Sequence, residues 1–515
     1  MLGYEKYVVL ASIIFMVWML FREQMRAGIL LFSIVVLFLA LGILTPNEVL
    51  AGFSNRGMIT VALLFLVSEG VRRSDALGTI MRYIFPSKEH SSVRKGLTYI
   101  MSVVTFGSAF LNNTPIVVIF IPHIKAWARR VGLPLKKFLI PLSYAAILGG
   151  ICTLIGTSTN LVVHALMLGA GMEGFTMFEL GYVGAPIAIV GTIYMIFIGA
   201  RLLPDDTIDE VDGLASRGKY HIVEAVIGPR FPGINSAVGE FDFRRHYNAN
   251  ILQLRRGGEL VADISSLRFR EGDTLLLAAD SSFIPTWGDS SVFLILTNDH
   301  DHTPQSTPLR KWSALVLLLV MIVGATLGDM PFMQGLLPQE SLDMFFWAAV
   351  VTVIMAFTGI FPAKQYTKFI SWDILVTIAS ALAISTAMTR SGLADWMAHS
   401  LVGLANDYSP IVVLALLYIV TNIITELITN NAAAAFAFPV ALAVSQQMSV
   451  SAMPFMVAIT IAASCSFSSP IGYQTNMIVQ GIGGYSFRDF LRVGIPLNGI
   501  AFVISMVLIP IYWSF

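Results

Sequence analysis

The chain of 515 residues is 56% apolar and only 12% charged, where soluble domains run at about 25% charged, and its mean hydropathy is +0.75. Its 32 basic and 32 acidic side chains cancel, so there is no electrostatic case for a nucleic-acid partner. Two cysteines, Cys152 and Cys465, each in an apolar stretch, indicate no disulfide framework, and water alone cannot solvate a surface of this composition.

Crossing a bilayer takes about 20 apolar residues. The N-terminus, MLGYEKYVVLASIIFMVWMLF, is apolar with no small-residue cleavage site behind it, and reads as a retained first span. Spans are predicted at 7–21, 27–44, 57–71, 138–170 and 182–203, the fourth interrupted at GTSTN. Around Asn112-Asn113, apolar stretches flank a polar tip, which predicts a hairpin that enters the membrane and leaves on the same side. From about Asp205 to Pro308 charged residues return. There HIVEAVI, NANILQLRRGGELV and DTLLLAA alternate as strands, with Arg256-Gly257-Gly258-Glu259 as a tight turn, so a small soluble α+β insert is expected. Further spans follow at 312–328, 344–361, 373–389, 453–483 (interrupted at GYQTN) and 490–511, with a second hairpin around Thr429-Asn430-Asn431. Three units result: a membrane repeat at 1–204, the insert at 205–308 and a second membrane repeat at 309–515.

The two membrane units say the same thing. FLNNTPIVVIFIP, ending at Pro122, returns as LITNNAAAAFAFP, ending at Pro439, so that Asn113 falls on Asn430 at an offset of 317 (430 − 113). GTSTN is answered by GYQTN at 316 (472 − 156), while Thr60 answers Thr377 and Arg73-Ser74 answers Arg390-Ser391 at 317. Polar, helix-breaking clusters placed equivalently in two apolar halves point to a transporter's central binding site.

Charge placement orients the chain. With the N-terminus outside, one side collects Arg22, Arg26, Arg72, Arg73, Arg129, Arg130, Lys136, Lys137, Arg201, Lys364, Lys368, Arg488 and Arg492. The other keeps little beyond Lys6, Arg56 and Arg390, so the basic side is cytoplasmic. Five crossings per half is odd, which requires the second copy to be inverted. The expected fold is an all-α polytopic membrane protein: an inverted repeat of five spans plus a re-entrant hairpin in each half, with a small α+β soluble insert. Both termini then lie outside the plasma (inner) membrane, and the insert is cytoplasmic.

Gly, Ser, Thr and Asn tolerate a backbone break at membrane depth and supply their own donors and acceptors. After each hairpin tip a helix begins, at Thr114 and at about Ala432, with first-turn amides free to face an anion. Carbonyls and side-chain oxygens in the interrupted spans suit Na⁺. No Arg or Lys lies inside the motifs, so a bound anion would be held by dipoles and accompanying cations. Glu426, one helical turn before Asn430, is placed to orient the tip or to relay a proton. Glu69, near Arg72 and Arg73, reads as an ion pair, and no nucleotide-binding Walker pattern is present.

The hairpin tips NNT-P and TNN-A, followed by GTSTN and SPIGYQTN, resemble the divalent anion:sodium symporter family, the group that includes solute carrier 13. The resemblance implies substrate binding by Asn112, Asn113, Thr114, Thr429, Asn430 and Asn431. It implies sodium binding by Asn113, Gly156, Thr157, Ser158, Thr159 and Asn160 in one half, and by Asn430, Ser469, Gly472, Gln474, Thr475 and Asn476 in the other. It further implies an elevator-like motion in a homodimer, no cofactor beyond the coupling sodium ions, and no enzyme activity. In this chain Asn112 and Thr429 replace the family's Ser, Asn431 replaces its Thr, and the paired prolines of the broken-helix loops are missing. Within the insert, FRRHYNANILQLRRGGEL and FREGDTLLL resemble the TrkA-type C-terminal regulatory domain, which implies an unknown ligand or subunit association. Members with such an insert look most like sulfate transporters, so sulfate is expected before dicarboxylates. A sodium/proton or arsenite exchanger using Glu426, and an ion channel with a regulatory domain, are the alternatives.

Overall fold

The computed structural model describes residues 5–22, 25–74, 92–205, 221–228, 230–256, 259–261, 264, 267–279, 283–287, 292–295, 308–328, 343–404 and 409–515. Apolar runs become helices, and Pro, Gly and capping side chains end them. The first half opens with α1 (Glu5–Phe21), α2 (Ala27–Ala40), α3 (Pro46–Phe53) and α4 (Arg56–Arg73). A capping box between Thr45 and Glu48, with Pro46 in the first turn, starts α3. The Asn55 side chain, accepting from the Gly57 and Met58 amides, starts α4. Next come the first hairpin, α5 (Val93–Ser108) and α6 (Asn113–Val131), and the first broken helix, α7 (Lys136–Gly150) and α8 (Ser158–Gly169). The half closes with α9 (Gly181–Tyr194), a π-turn (Met195–Gly199) and α10 (Ala200–Leu202).

Residues 221–295 carry a five-stranded sheet ordered β3-β2-β4-β1-β5, every pair antiparallel. Its strands are β1 (His221–Ile227), β2 (Ala249–Arg256), β3 (Glu259–Leu260), β4 (Thr274–Ala279) and β5 (Phe293–Ile295), with α11 (Phe243–Tyr247) and α12 (Phe283–Trp287) between them. Arg256 pairs with Glu259, so β2 and β3 form a hairpin; its tip, Gly257-Gly258, lies outside the described residues. The sheet has a hydrophobic core of its own, built on Val223, Phe231, Phe243, Tyr247, Phe269, Leu275, Leu277 and Phe293.

The second half runs α13 (Pro308–Gly328), α14 (Met344–Phe357), α15 (Trp372–Arg390) and α16 (Leu393–Leu404). The second hairpin follows as α17 (Pro410–Leu427) and α18 (Asn430–Met448), then the second broken helix as α19 (Met453–Ser464) and α20 (Gln474–Gly483), then α21 (Phe487–Tyr512). Five stretches among the described residues are long and apolar enough to cross a membrane: Pro46–Arg73, Gly181–Leu202, Trp372–Arg390, Pro410–Leu427 and Phe487–Tyr512.

Burial places the broken helices at the centre. From Lys137 to Gly150 in α7 and from Pro454 to Ser464 in α19, every residue is buried, the signature of helices covered on all sides by protein. The one charge in that run is neutralised at the helix start. Lys137 Nζ donates to the carbonyls of Ala200 (3.0 Å) and Leu203 (2.6 Å) and lies 2.9 Å from Asp205, capping α10. Glu69 is held by Arg72 and Arg73 at 2.8 and 2.7 Å, an ion pair within α4.

Equivalent residues make equivalent contacts in the two halves. Asn160 Nδ2 donates to the carbonyls of Gly150 (3.0 Å) and Thr153 (2.8 Å). Asn476 Nδ2 does the same to Ser466 (2.9 Å) and Ser469 (3.0 Å), each partner displaced by 316 (476 − 160). A Cβ on Gly156 would strike the Gly150 carbonyl, and one on Gly472 would strike Ser466, the equivalent residue. Gly184 of α9 packs on the Ile151 carbonyl as Gly494 of α21 packs on that of Phe467. At these last helices the register has slipped to 310 (494 − 184), because the segment joining the broken helix to the final span is shorter in the second half.

Candidate functional site

Both hairpin tips and both broken-helix loops meet at a single hydroxyl. Helix α6 begins at Asn113 and α18 at Asn430, each a residue or two earlier than the sequence pattern predicts, and the first amides of each helix lack intrahelical partners. Asn113 is buried. In the amide orientation that satisfies its neighbours, Nδ2 faces the carbonyls of Ala146 (3.0 Å) and Gly156 (3.2 Å) and Ser108 Oγ (2.7 Å), while Oδ1 accepts from the Tyr473 hydroxyl (2.5 Å). That hydroxyl lies 2.6 Å from Thr157 Oγ1, and the Asn430 side chain interacts with it from the second tip. A buried group that is both donor and acceptor thus joins the first tip, the first loop and the second tip from its own place in the second loop.

Around this hub the tips cross to the opposite loops. Thr114 Oγ1 donates to Gln474 Oε1 at 3.1 Å. Asn431 Oδ1 accepts from Ser158 Oγ (3.2 Å) and Thr159 Oγ1 (3.3 Å). Thr114 and Asn431 are repeat equivalents, as are Gln474 and Ser158, so one contact is made twice. Beneath the second loop, Ser143 of α7 donates to Asn476 Oδ1 (2.6 Å) and its Oγ lies 2.8 Å from the Thr475 hydroxyl, which is left to donate to it.

Other expected residues take different places. Asn112 lines a small cavity of about 30 Å³ with Ser158, Ile155 and Phe110, closed by Leu64 and Ser68 of α4 and by Leu318 and Met321 of α13. Thr429 is exposed and starts α18 through its carbonyl, which accepts from the Ala433 amide at 3.0 Å. Ser469 Oγ accepts from the Ile471 amide (3.1 Å). The nitrogens of Asn160 and Asn476 are committed to loop carbonyls, which makes these two side chains braces of the loops. Glu426 accepts from the Ser468 amide (2.9 Å), Asn498 Nδ2 (2.7 Å) and Ser466 Oγ (3.1 Å), tying α17 to the second loop and to α21. Among the described residues, the hydrogen-bond partners of this carboxyl are neutral donors.

Tyr473 and Ser143 join the site although neither belongs to the polar pattern of the tips and loops. Tyr473 stands inside GYQTN at the position of Thr157, and that register was the available signal. Among the described residues no cluster of His, Cys, Asp and Glu suits a transition metal or a divalent ion.

The assembled chemistry is a neutral, oxygen- and amide-rich centre inside a bundle of apolar helices. The citrate transporter (CitMHS) family model matches residues 13–462 and 336–515. The chain belongs to the citrate transporter family. The transporter is 28% identical to an uncharacterized transporter of Synechocystis sp., over 99% of its own length and 98% of the relative's. It is 21% identical to sodium/sulfate cotransporter 2 of Chlamydomonas reinhardtii, over 88% of this chain and 84% of that one. To the sodium-dependent dicarboxylate transporter SdcS of Staphylococcus saprophyticus it is 28% identical over 28% of each chain. Its fold is similar to that of the YdaH transporter of Alcanivorax borkumensis, with a TM-score of 0.55 and 12% identity over 95% of this chain and 98% of that one. The protein is therefore a multi-pass membrane transporter, within the superfamily of divalent anion and sodium symporters that the tip motifs resemble.

Proposed function

We propose that the transporter is a sodium-coupled symporter of a divalent anion, sulfate before dicarboxylates. The observation that carries this reading is the convergence of two uncharged hairpin tips and two uncharged broken-helix loops on the Tyr473 hydroxyl. An anion held there has no Arg or Lys among these motifs to neutralise it, so cations must enter with it. Asn112, Asn113 and Thr114 with Thr429, Asn430 and Asn431 form the substrate site in this reading. The oxygens of Asn113, Gly156, Thr157, Ser158, Thr159 and Asn160, and of Asn430, Ser469, Gly472, Gln474, Thr475 and Asn476, receive sodium. Similarity to a sodium/sulfate cotransporter over 88% of the chain supports the ion and the anion together.

Inversion of the second half is part of the proposal. Thr157 and Tyr473 hold equivalent positions and touch each other, as equivalent positions do on a local two-fold axis. Such an axis in the membrane plane relates inverted repeats. The hairpins and broken helices would then move as one body against the remaining spans, elevator-fashion, in a homodimer. Residues 1–204 and 309–515 form the membrane repeats in this scheme, and 205–308 form a cytoplasmic regulatory domain of the TrkA type, with both termini outside.

A tricarboxylate or dicarboxylate is the second reading, favoured by the citrate transporter model that the chain matches. Proteoliposome uptake of labelled sulfate, thiosulfate, succinate and citrate, with and without an inward sodium gradient, separates the two. Sodium-driven sulfate uptake that excess citrate does not compete supports the first; sodium-driven citrate uptake indifferent to sulfate replaces it with the second.

A further inference from the structure

One turn of the soluble sheet reaches the transport site. Arg270-Glu271-Gly272-Asp273, just before β4, closes with the Asp273 amide donating to the Arg270 carbonyl (3.2 Å), and Gly272 takes φ +87°. The Asp273 carboxylate accepts from the Arg270 amide (2.8 Å) and from Arg256 of β2 (2.8 and 2.7 Å). A turn fastened this way presents Glu271 in one place. Gly272 packs on Met477 and Gly481 of α20, so closely that a Cβ on Gly481 would lie 2.5 Å from the Gly272 carbonyl. The sheet is further held by Glu224 against Lys125 of α6 (2.6 Å), and by Arg230 donating to the carbonyls of Lys368 and Ile370. From this mount Glu271 Oε1 accepts from Gln474 Nε2 at 2.6 Å, and Gln474 Oε1 in turn accepts from Thr114.

We propose that Glu271 is a positioning residue of the transport site, fixing the Gln474 amide with its oxygen toward the first hairpin tip and so raising the sodium affinity of the second loop. This rests on the sodium-coupled reading above. An amide has a donor end and an acceptor end of nearly equal shape, and its second partner decides which end faces the site. A carboxylate only accepts, so Nε2 turns to Glu271 and the oxygen is left for a cation. Without Glu271 the amide is free to turn its NH₂ inward, which repels Na⁺. At the equivalent place in the first half stands Ser158, whose single oxygen donates to Asn431 and still keeps lone pairs for an ion, so it needs no such partner. The two loops are thus unequal, and the soluble unit sets the affinity of only one of them.

The test uses the full-length protein, melted across a sodium series and reconstituted for uptake. Glu271→Ala should raise the sodium concentration for half-maximal thermal stabilisation, and for half-maximal uptake, by about tenfold, the scale of losses seen when an outer-shell partner of an ion ligand is removed. The anion KM at saturating sodium should stay unchanged, a split that general loss of structure does not produce. In a Gln474→Met background, Glu271→Ala should have no further effect. If Glu271→Ala cannot be purified, Glu271→Met keeps much of the size, offers no oxygen to Gln474 Nε2 and gives the same comparison. Unchanged sodium midpoints in a wild type that does respond to sodium, or independent additive losses in the double variant, overturn this inference alone. A wild type whose melting and uptake both ignore sodium overturns it together with the symporter reading.

Discussion

At Tyr473 one hydroxyl serves Asn113, Thr157 and Asn430, so its removal strands partners contributed by both halves. Leaving a buried polar group unsatisfied costs about 1–3 kcal/mol, and each 1.4 kcal/mol is about tenfold in affinity. Tyr473→Phe keeps the ring and its packing; substrate affinity in reconstituted uptake should fall about tenfold or more, with expression preserved. Thr157→Val, which removes one partner of the hub, should show the milder loss. Equal activity of Tyr473→Phe and wild type would mean the hub is packing alone. The asparagines at this centre were legible because they recur in register. Tyr473 was not, since its counterpart is a threonine and an aromatic ring in an apolar chain reads as core. The bracing role of Asn160 and Asn476 was equally hidden: an amide looks the same in sequence whether it binds a carbonyl or an ion.

Between residues and the whole, the broken helices are shaped by glycines that admit backbone where a side chain will not fit. A Cβ on Gly156 or Gly472 meets the opposite wall of its own loop, and overpacking of this kind costs about 1–3 kcal/mol. Gly156→Ala and Gly472→Ala should therefore lower both the melting temperature and sodium-dependent uptake. Gly499→Ala in α21, where nothing lies within 4 Å, should be neutral or stabilising by about 0.5–1 kcal/mol, because helix-interior glycine is entropically unfavourable. Differential scanning fluorimetry of the three variants checks the contrast. Most long helices and both break points were readable from hydropathy and polar interruptions. The eight-residue α3 and the three-residue β5 were not, since each is too brief to show a period, and the twelve-residue α16 was not, since it falls short of a membrane span.

For the whole molecule, orientation comes from charge and coupling from the way the parts meet. In the proposed topology, drawn from the arginine and lysine asymmetry, the sheet faces the cytoplasm, so a cysteine at the exposed Glu240 should react with a membrane-impermeant maleimide only from inside, and one at the exposed Glu173 only from outside. The opposite pattern would reverse the topology. Composition sets the charged stretch that carries the sheet apart from the apolar halves, yet nothing in the sequence announced that its Arg270–Asp273 turn rests on α20, because that contact joins residues about two hundred positions apart. Two equivalent tips forming one sodium-coupled anion site have a direct consequence for flux. Proteoliposomes holding wild-type protein, Asn113→Ala or Asn430→Ala are given labelled sulfate and an inward sodium gradient. Accumulation by the wild type that vanishes when the gradient is dissipated, and that either substitution abolishes, is the predicted result. Accumulation that ignores sodium and follows a proton gradient, or that survives both substitutions at the wild-type rate, would contradict it.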